Sequence, residues 1–151
     1  MNSVFEVHKT VRNILLKILE NHSLEQLNKV PVGFNNNLIW NIGHCISSQQ
    51  VLVYELSGLP TIVSEEFIAK YRKGTKPEGD VLQAEVDEIK ALLFKTAVQT
   101  EEDFKNASFK DYHQYTTSMG FTLKNVEDAL SFNNYHEGLH TGIIMSIRKL
   151  V

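Results

Sequence analysis

Two histidines one helical turn apart bracket a glutamate in the stretch Tyr135-His136-Glu137-Gly138-Leu139-His140-Thr141. This is the H-E-x-x-H pattern, in which two imidazoles on one face of a helix hold a zinc ion and the glutamate serves as general base for peptide hydrolysis. A zinc protease takes a third protein ligand, usually downstream. The segment from Thr141 to Val151 contains no His, Asp, Glu or Cys. The third ligand is therefore expected upstream, on another element, and peptide hydrolysis ranks last among the chemistries open to such a site.

The elements that would position these residues can be read from periodicity. A fourth long helix is expected over 125–149, with Asn125 and Asp128 at its start. At 100° per residue, Val126, Ala129, Leu130, Asn133, Ile144 and Ile147 share one stripe, and His136 and His140 fall inside it. Two neutral imidazoles buried side by side are costly without a shared partner, so a divalent metal is the economical reading. A second helix, about 37–57, is apolar nearly all round and reads as central. Its stripe Trp40, His44, Ser48 and Val51 makes His44 the best candidate for a third ligand. His8 is the rival, on a first helix over 3–21 whose expected apolar stripe is Val4, Val7, Val11, Ile14, Leu15 and Ile18, with Arg12, Lys17 and Glu20 mostly off it. Three neutral imidazoles and an open position suit Zn²⁺ or Ni²⁺. Glu137 lies about 60–100° around the helix from the two histidines. It could act as a base, orient a ligand, or pair with a cation from another helix, and the three roles stand open. His22 reads as a solvated or capping residue at a helix end, His113 as a surface or pocket-rim residue, and Cys45 as an inert core thiol beside Leu38, Leu52 and Leu56.

The remaining segments complete the layout. Ser23 to Leu27 and Ser64 to Arg72 read as short helical pieces, and Lys73 to Gly79 as a loop. Asp80 with Gln83 resembles a capping box opening a third helix, about 80–99 with Glu101 to Phe104 continuing it. Lys105 to Lys124 reads as a long loop or short β-ribbon. The expected fold is an all-α four-helix bundle with short extra helical segments. A length of 151 residues suits one domain, and 42% apolar and 22% charged residues are ordinary for a globular protein. A net charge of -3, without a Lys/Arg cluster, argues against nucleic acid as partner. A single cysteine leaves no intramolecular disulfide. No apolar run is long enough to span a membrane, and MNSVFEVHKT lacks the pattern of a secretory leader. The expected location is cytoplasmic.

The segments Trp40-Asn41-Ile42-Gly43-His44 and His136-Glu137-x-x-His140-x-Gly142-x-Ile144 resemble, in order and spacing, the two signatures of the DinB/YfiT-like superfamily. The tracts Asn36 to His44 and Thr116 to Ile147, the four-helix layout and the chain length all agree with this resemblance. It implies a bundle of up-down-down-up connectivity, often dimeric, holding a divalent metal, commonly nickel or zinc, on one histidine of helix 2 and two of helix 4. Those positions are His44, His136 and His140. Some relatives are transferases or isomerases that use bacillithiol, mycothiol or glutathione. The family name refers to DNA-damage-inducible genes, not to DNA binding. Ile143 stands where family members often carry Gln. The resemblance implies a metal-dependent transferase or hydrolase that activates a water or a low-molecular-weight thiol against a small-molecule substrate, working as a homodimer. Glu137 is the candidate catalytic residue, and Trp40 and Asn133, each one turn before a ligand, are the candidate substrate-binding residues. The alternative is a non-catalytic, metal-stabilised binding or stress-response module.

Overall fold

Side-chain caps set where most helices start. Asn37 accepts a hydrogen bond from the Trp40 amide and Asn125 from the Asp128 amide, each satisfying a donor that the first helical turn leaves unpaired. Ser64 caps a short helix in the same way, and Ser23 forms a reciprocal capping box with Gln26. The computed structural model describes residues 1–151. It contains α1 (Asn2–Glu20), α2 (Leu24–Asn28), α3 (Leu38–Val53), α4 (Glu65–Tyr71), α5 (Gln83–Lys105) and α6 (Val126–Ile147). A 3-10 turn at Glu55–Ser57 ends α3, and an antiparallel ribbon of β1 (Tyr115–Thr116) and β2 (Thr122–Leu123) precedes α6. No helix is long and apolar enough to cross a membrane.

The four long helices form a ring in which α1 lies beside α5 and α6, and α3 lies beside the same two. Contacts along their lengths fix the directions. Asn134 of α6 donates to the Val4 carbonyl near the start of α1, and Glu137, further along α6, meets Arg12, further along α1, so these two helices run the same way. Phe5 of α1 packs against Phe104 near the end of α5, so that pair is antiparallel. Gln49 of α3 bonds Thr100 of α5, and Asn41 near the start of α3 meets His140 late in α6. The connectivity is up-down-down-up, an all-α bundle as expected.

Apolar residues close the bundle at both ends. One cluster joins Leu15, Ile18, Leu38, Ile42, Ile89, Leu93, Ile144 and Ile147; a smaller one joins Phe5, Leu52, Val53, Leu123, Val126 and Leu130. Between them each long helix buries polar groups: His8 and Arg12 on α1, Ser47, Gln49 and Gln50 on α3, Thr96 and Thr100 on α5, Asn133 and Glu137 on α6. This polar waist corrects the expected face of α1. The buried residues are Phe5, His8, Arg12, Leu15, Ile18 and Leu19, while Val7 is 49% exposed and Arg12 is 0%. The helix is turned because Arg12 pairs with a buried carboxylate, and leaving that charge alone would cost several kcal/mol.

The capping box expected at Asp80 and Gln83 is also corrected. α5 begins after Leu82 without a side-chain cap, and Gln83 reaches forward to Asp87. The cause is distant in sequence. Asn28 holds both the amide and the carbonyl of Val81, which ties the approach to α5 down onto α2.

Gly43 permits a close approach. A Cβ there would lie 2.6–2.8 Å from the Tyr71 ring, which rests directly on the α3 backbone. Gly43→Ala should therefore push α4 off α3 and destabilise the protein by about 1–3 kcal/mol, the usual cost of overpacking. Urea denaturation checks this, and a wild-type midpoint for the variant would show that the contact is not a constraint.

Candidate metal centre

Because α3 and α6 run antiparallel, His44 on the second turn of α3 faces His136 and His140 on α6. The ring centroids are 5.1 Å apart for His44 and His136, 4.7 Å for His44 and His140, and 4.6 Å for His136 and His140. One nitrogen from each ring lies within 4.8 Å of the others. Bonds of about 2.0–2.1 Å to a tetrahedral ion would bring such nitrogens to roughly 3.3 Å, an inward adjustment of ~1.5 Å or less.

Two of the rings are oriented through their far nitrogens. The Nδ1–H of His44 donates to the Tyr71 carbonyl at 2.7 Å, and that of His140 to Asn41 Oδ1 at 2.8 Å. Asn41 is itself fixed by donating to the Asn37 carbonyl. These bonds select the tautomer that leaves Nε2 with its lone pair, the arrangement common among metal-bound histidines. Trp40 lies flat on His44 with ring centroids 4.7 Å apart and 10° between planes, and its Nε1 donates to Thr75. Ser48 Oγ is 3.3 Å from His44 Nε2. His136 Nδ1 is shut off from solvent and has no partner in the protein.

Burial favours the neutral form of all three rings. It is the leading cause in His140, whose pKa falls to about 3 with help from His136 and His44, and in His136, which falls to about 4 with help from His44. In His44 burial outweighs the Tyr71 carbonyl, and Lys73 adds to the lowering. Neutral imidazoles are what a metal ion binds. Three nitrogen donors, two with oriented far sides and one with an unpartnered buried nitrogen, fit a divalent transition metal.

The other expected residues fall into a second cluster. Glu137 is 0% exposed. Its Oε1 accepts from Arg12 Nη2 at 2.7 Å, Asn133 Nδ2 at 2.9 Å and His8 Nε2 at 3.2 Å, and its Oε2 from Arg12 Nε at 3.1 Å. Burial alone would raise the Glu137 pKa, but the Arg12 charge and His8 beside it bring it down to about 2. Of the roles open to Glu137, pairing with a cation from another helix is the one seen. The expected phase of α6 changes accordingly. Glu137 and Asn133 are its innermost polar residues, while His136 and His140 sit partly buried on the side facing α3. His8, the rival ligand, is engaged with this carboxylate. His22 bonds the Ile18 carbonyl and His113 the Leu56 carbonyl, both apart from the three rings. Cys45 is in the main core.

Arg12, Asn41 and the Tyr71 carbonyl escaped the sequence reading. Asn41 is the one polar residue in the apolar run Leu38 to Ile42, which is a usable signal. Arg12 sits at the four-residue step from His8, and Gly43 marks the close approach of Tyr71. A model of the DinB superfamily matches residues 8–144 of the chain. No curated protein matches it.

The lowered histidine pKa values set a pH dependence. Between about 3 and the ordinary 6.5 the unfolded chain binds more protons at His136 and His140 than the folded one, so stability falls as pH falls through that window. The urea midpoint of the metal-free protein should drop between pH 7.5 and pH 5, and replacing both histidines with Gln should flatten the slope. A wild-type midpoint that is the same at the two pH values would contradict the neutral, buried state of these rings.

Proposed function

The chain belongs to the DinB superfamily, and on that premise we propose that it is a metal-dependent enzyme of the cytoplasm, one DinB-like domain with His44, His136 and His140 as ligands of zinc or nickel. The observation that carries this reading is the convergence of three neutral imidazoles from two antiparallel helices, with nitrogens within 4.8 Å. When bound, such an ion supplies Lewis acidity that makes a water or a thiol acidic enough to act as a nucleophile near neutral pH. The protein's own part is orientation. The Tyr71 carbonyl and Asn41 keep the His44 and His140 lone pairs directed at the site. Trp40 offers a flat wall behind His44, and Ser48 Oγ stands where it can exchange a hydrogen bond with an incoming nucleophile. The substrate is a small molecule, with a low-molecular-weight thiol as the favoured nucleophile, in a transferase or hydrolase reaction. Of the two candidate substrate-binding residues, Trp40 is the one that touches a ligand ring. Asn133, 1% exposed and bonded to Glu137, serves the carboxylate cluster instead.

The proposed assembly is a homodimer. Support comes from the outer face of α6, where Tyr135, Leu139 and Ile143 are 53%, 38% and 38% exposed, and where no charged residue occurs between Glu137 and Arg148. Light scattering should give twice the 17.2 kDa chain mass, and Leu139→Glu should halve it. A monomeric wild type would remove this part of the reading.

Metal loading tests the centre. Wild type should bind one Zn²⁺ or Ni²⁺ per chain, and His140→Ala should lose it. At 100 times the dissociation constant the ion should add about 2.7 kcal/mol, a rise in Tm of roughly 5–10 °C for a chain of this size. Turnover in a panel of thiol-plus-electrophile pairs should require the metal and vanish in His140→Ala. Unchanged stoichiometry in that variant would sink the assignment, and a bound metal with no turnover of any pair would favour a binding module.

A further inference from the structure

We propose that Arg12 and Glu137 form a positioning clamp, a buried ion pair that sets the rotation and height of α6 so that His136 and His140 meet His44. This rests on the reading that the three histidines hold a metal, and assigns a role to two residues that are not ligands.

Packing alone does not fix α6 at this level. From Ser131 to Ile143 its buried residues are Asn133 and Glu137; no apolar side chain in that span is buried. Phe132 still packs on the smaller apolar cluster, but the three turns from Asn133 to Ile143 place no apolar side chain on either core and so lack the knobs that normally seat a helix in its neighbour's grooves. Polar contacts take their place. Arg12 grips the Glu137 carboxylate side-on, with Nη2 to Oε1 at 2.7 Å and Nε to Oε2 at 3.1 Å. Two roughly parallel bonds from a planar fork fix angle as well as distance. Asn133, one turn before Glu137, and His8, one turn before Arg12, brace the same Oε1 atom.

The lever arm shows how much such a clamp controls. Side chains reach about 5–6 Å from a helix axis, so a 20° roll of α6 would move a ring nitrogen by about 2 Å. Metal–ligand distances tolerate about 0.2 Å. A buried ion pair is a weak source of net stability compared with apolar residues of the same shape, and what it offers here is the choice of one rotation. With its oxygens held by Arg12, Asn133 and His8, Glu137 is a positioning residue and not the base that the H-E-x-x-H pattern suggests.

The test uses Co²⁺ as probe, reading its dissociation constant and its d–d absorption bands, with Tm of the metal-free protein measured in parallel. The double variant Arg12→Met/Glu137→Leu replaces the pair with apolar side chains. It should keep or raise the metal-free Tm, bind Co²⁺ at least about tenfold more weakly, and shift the d–d bands. Arg12→Lys keeps the charge, loses the fork, and should bind a few-fold more weakly; it carries the test alone if the double variant does not fold. Wild-type affinity and bands in a folded double variant, or in Arg12→Lys where that variant carries the test, would overturn the clamp. A wild type that binds no Co²⁺ would overturn the metal reading itself, and the clamp with it.

Discussion

A carboxylate with no exposed surface constrains everything around it. Taking Glu137 out of water costs several kcal/mol unless a cation and further hydrogen-bond donors surround it, and the chain supplies Arg12, His8 and Asn133 for that purpose. Meeting this demand fixes the phase of two helices at once. α1 must present His8 and Arg12 inward, which leaves Val7 to solvent, and α6 must present Asn133 and Glu137. Once α6 is turned that way, His136 and His140 fall on its side toward α3, where Asn41 and His44 receive them. The proposed metal centre is thus the outer consequence of an inner ion pair.

Stability and specificity are carried by different layers of the bundle. The apolar ends supply the driving force, each fully buried Leu or Ile contributing about 1.5–3 kcal/mol. The waist between them is polar on all four helices and extensively paired: Gln49 donates to Thr100, and Gln50 donates to Gln49 and accepts from the Ile62 amide. Networks of this kind add modest net stability but discriminate strongly against shifted registers, because a slip leaves buried donors and acceptors unpaired. His44 depends on a further constraint of the same type. Gly43 lets the Tyr71 ring lie on α3, and that contact delivers the Tyr71 carbonyl to His44 Nδ1.

Features that depend on local spacing were legible in the sequence. The i, i+4 pair His136 and His140 must share a helix face, and Asn125 stands where the fourth long helix needs a side-chain acceptor. The four-helix plan followed from long periodic segments with few prolines. What escaped the sequence reading depends on partners far away in the chain. Polarity counting puts Arg12 outside the stripe and the valines inside it, because the count has no knowledge of a carboxylate 125 positions on. The same blindness placed the start of α5 at Asp80, where Asn28 instead holds Val81 at a separation of 53 residues. The Tyr71 carbonyl is a backbone group and leaves no signature beyond the glycine it packs against.

The string H-E-x-x-H therefore does not carry a chemistry by itself. On any α-helix the glutamate sits about 100° around from the first histidine and about 60° from the second, so the spacing is the same whether it serves as a base or as a structural anion. The difference lies in what faces it. A carboxylate open to the bound nucleophile, with a pKa near the working pH, can take a proton; one gripped by an arginine fork and brought down to about 2 has little basicity to offer. In this bundle the residue that decides between the two readings is Arg12, on a different helix and at the opposite end of the sequence. Peptide hydrolysis by this route would require that cation to be absent, and it is buried at 0% exposure with its fork on the carboxylate.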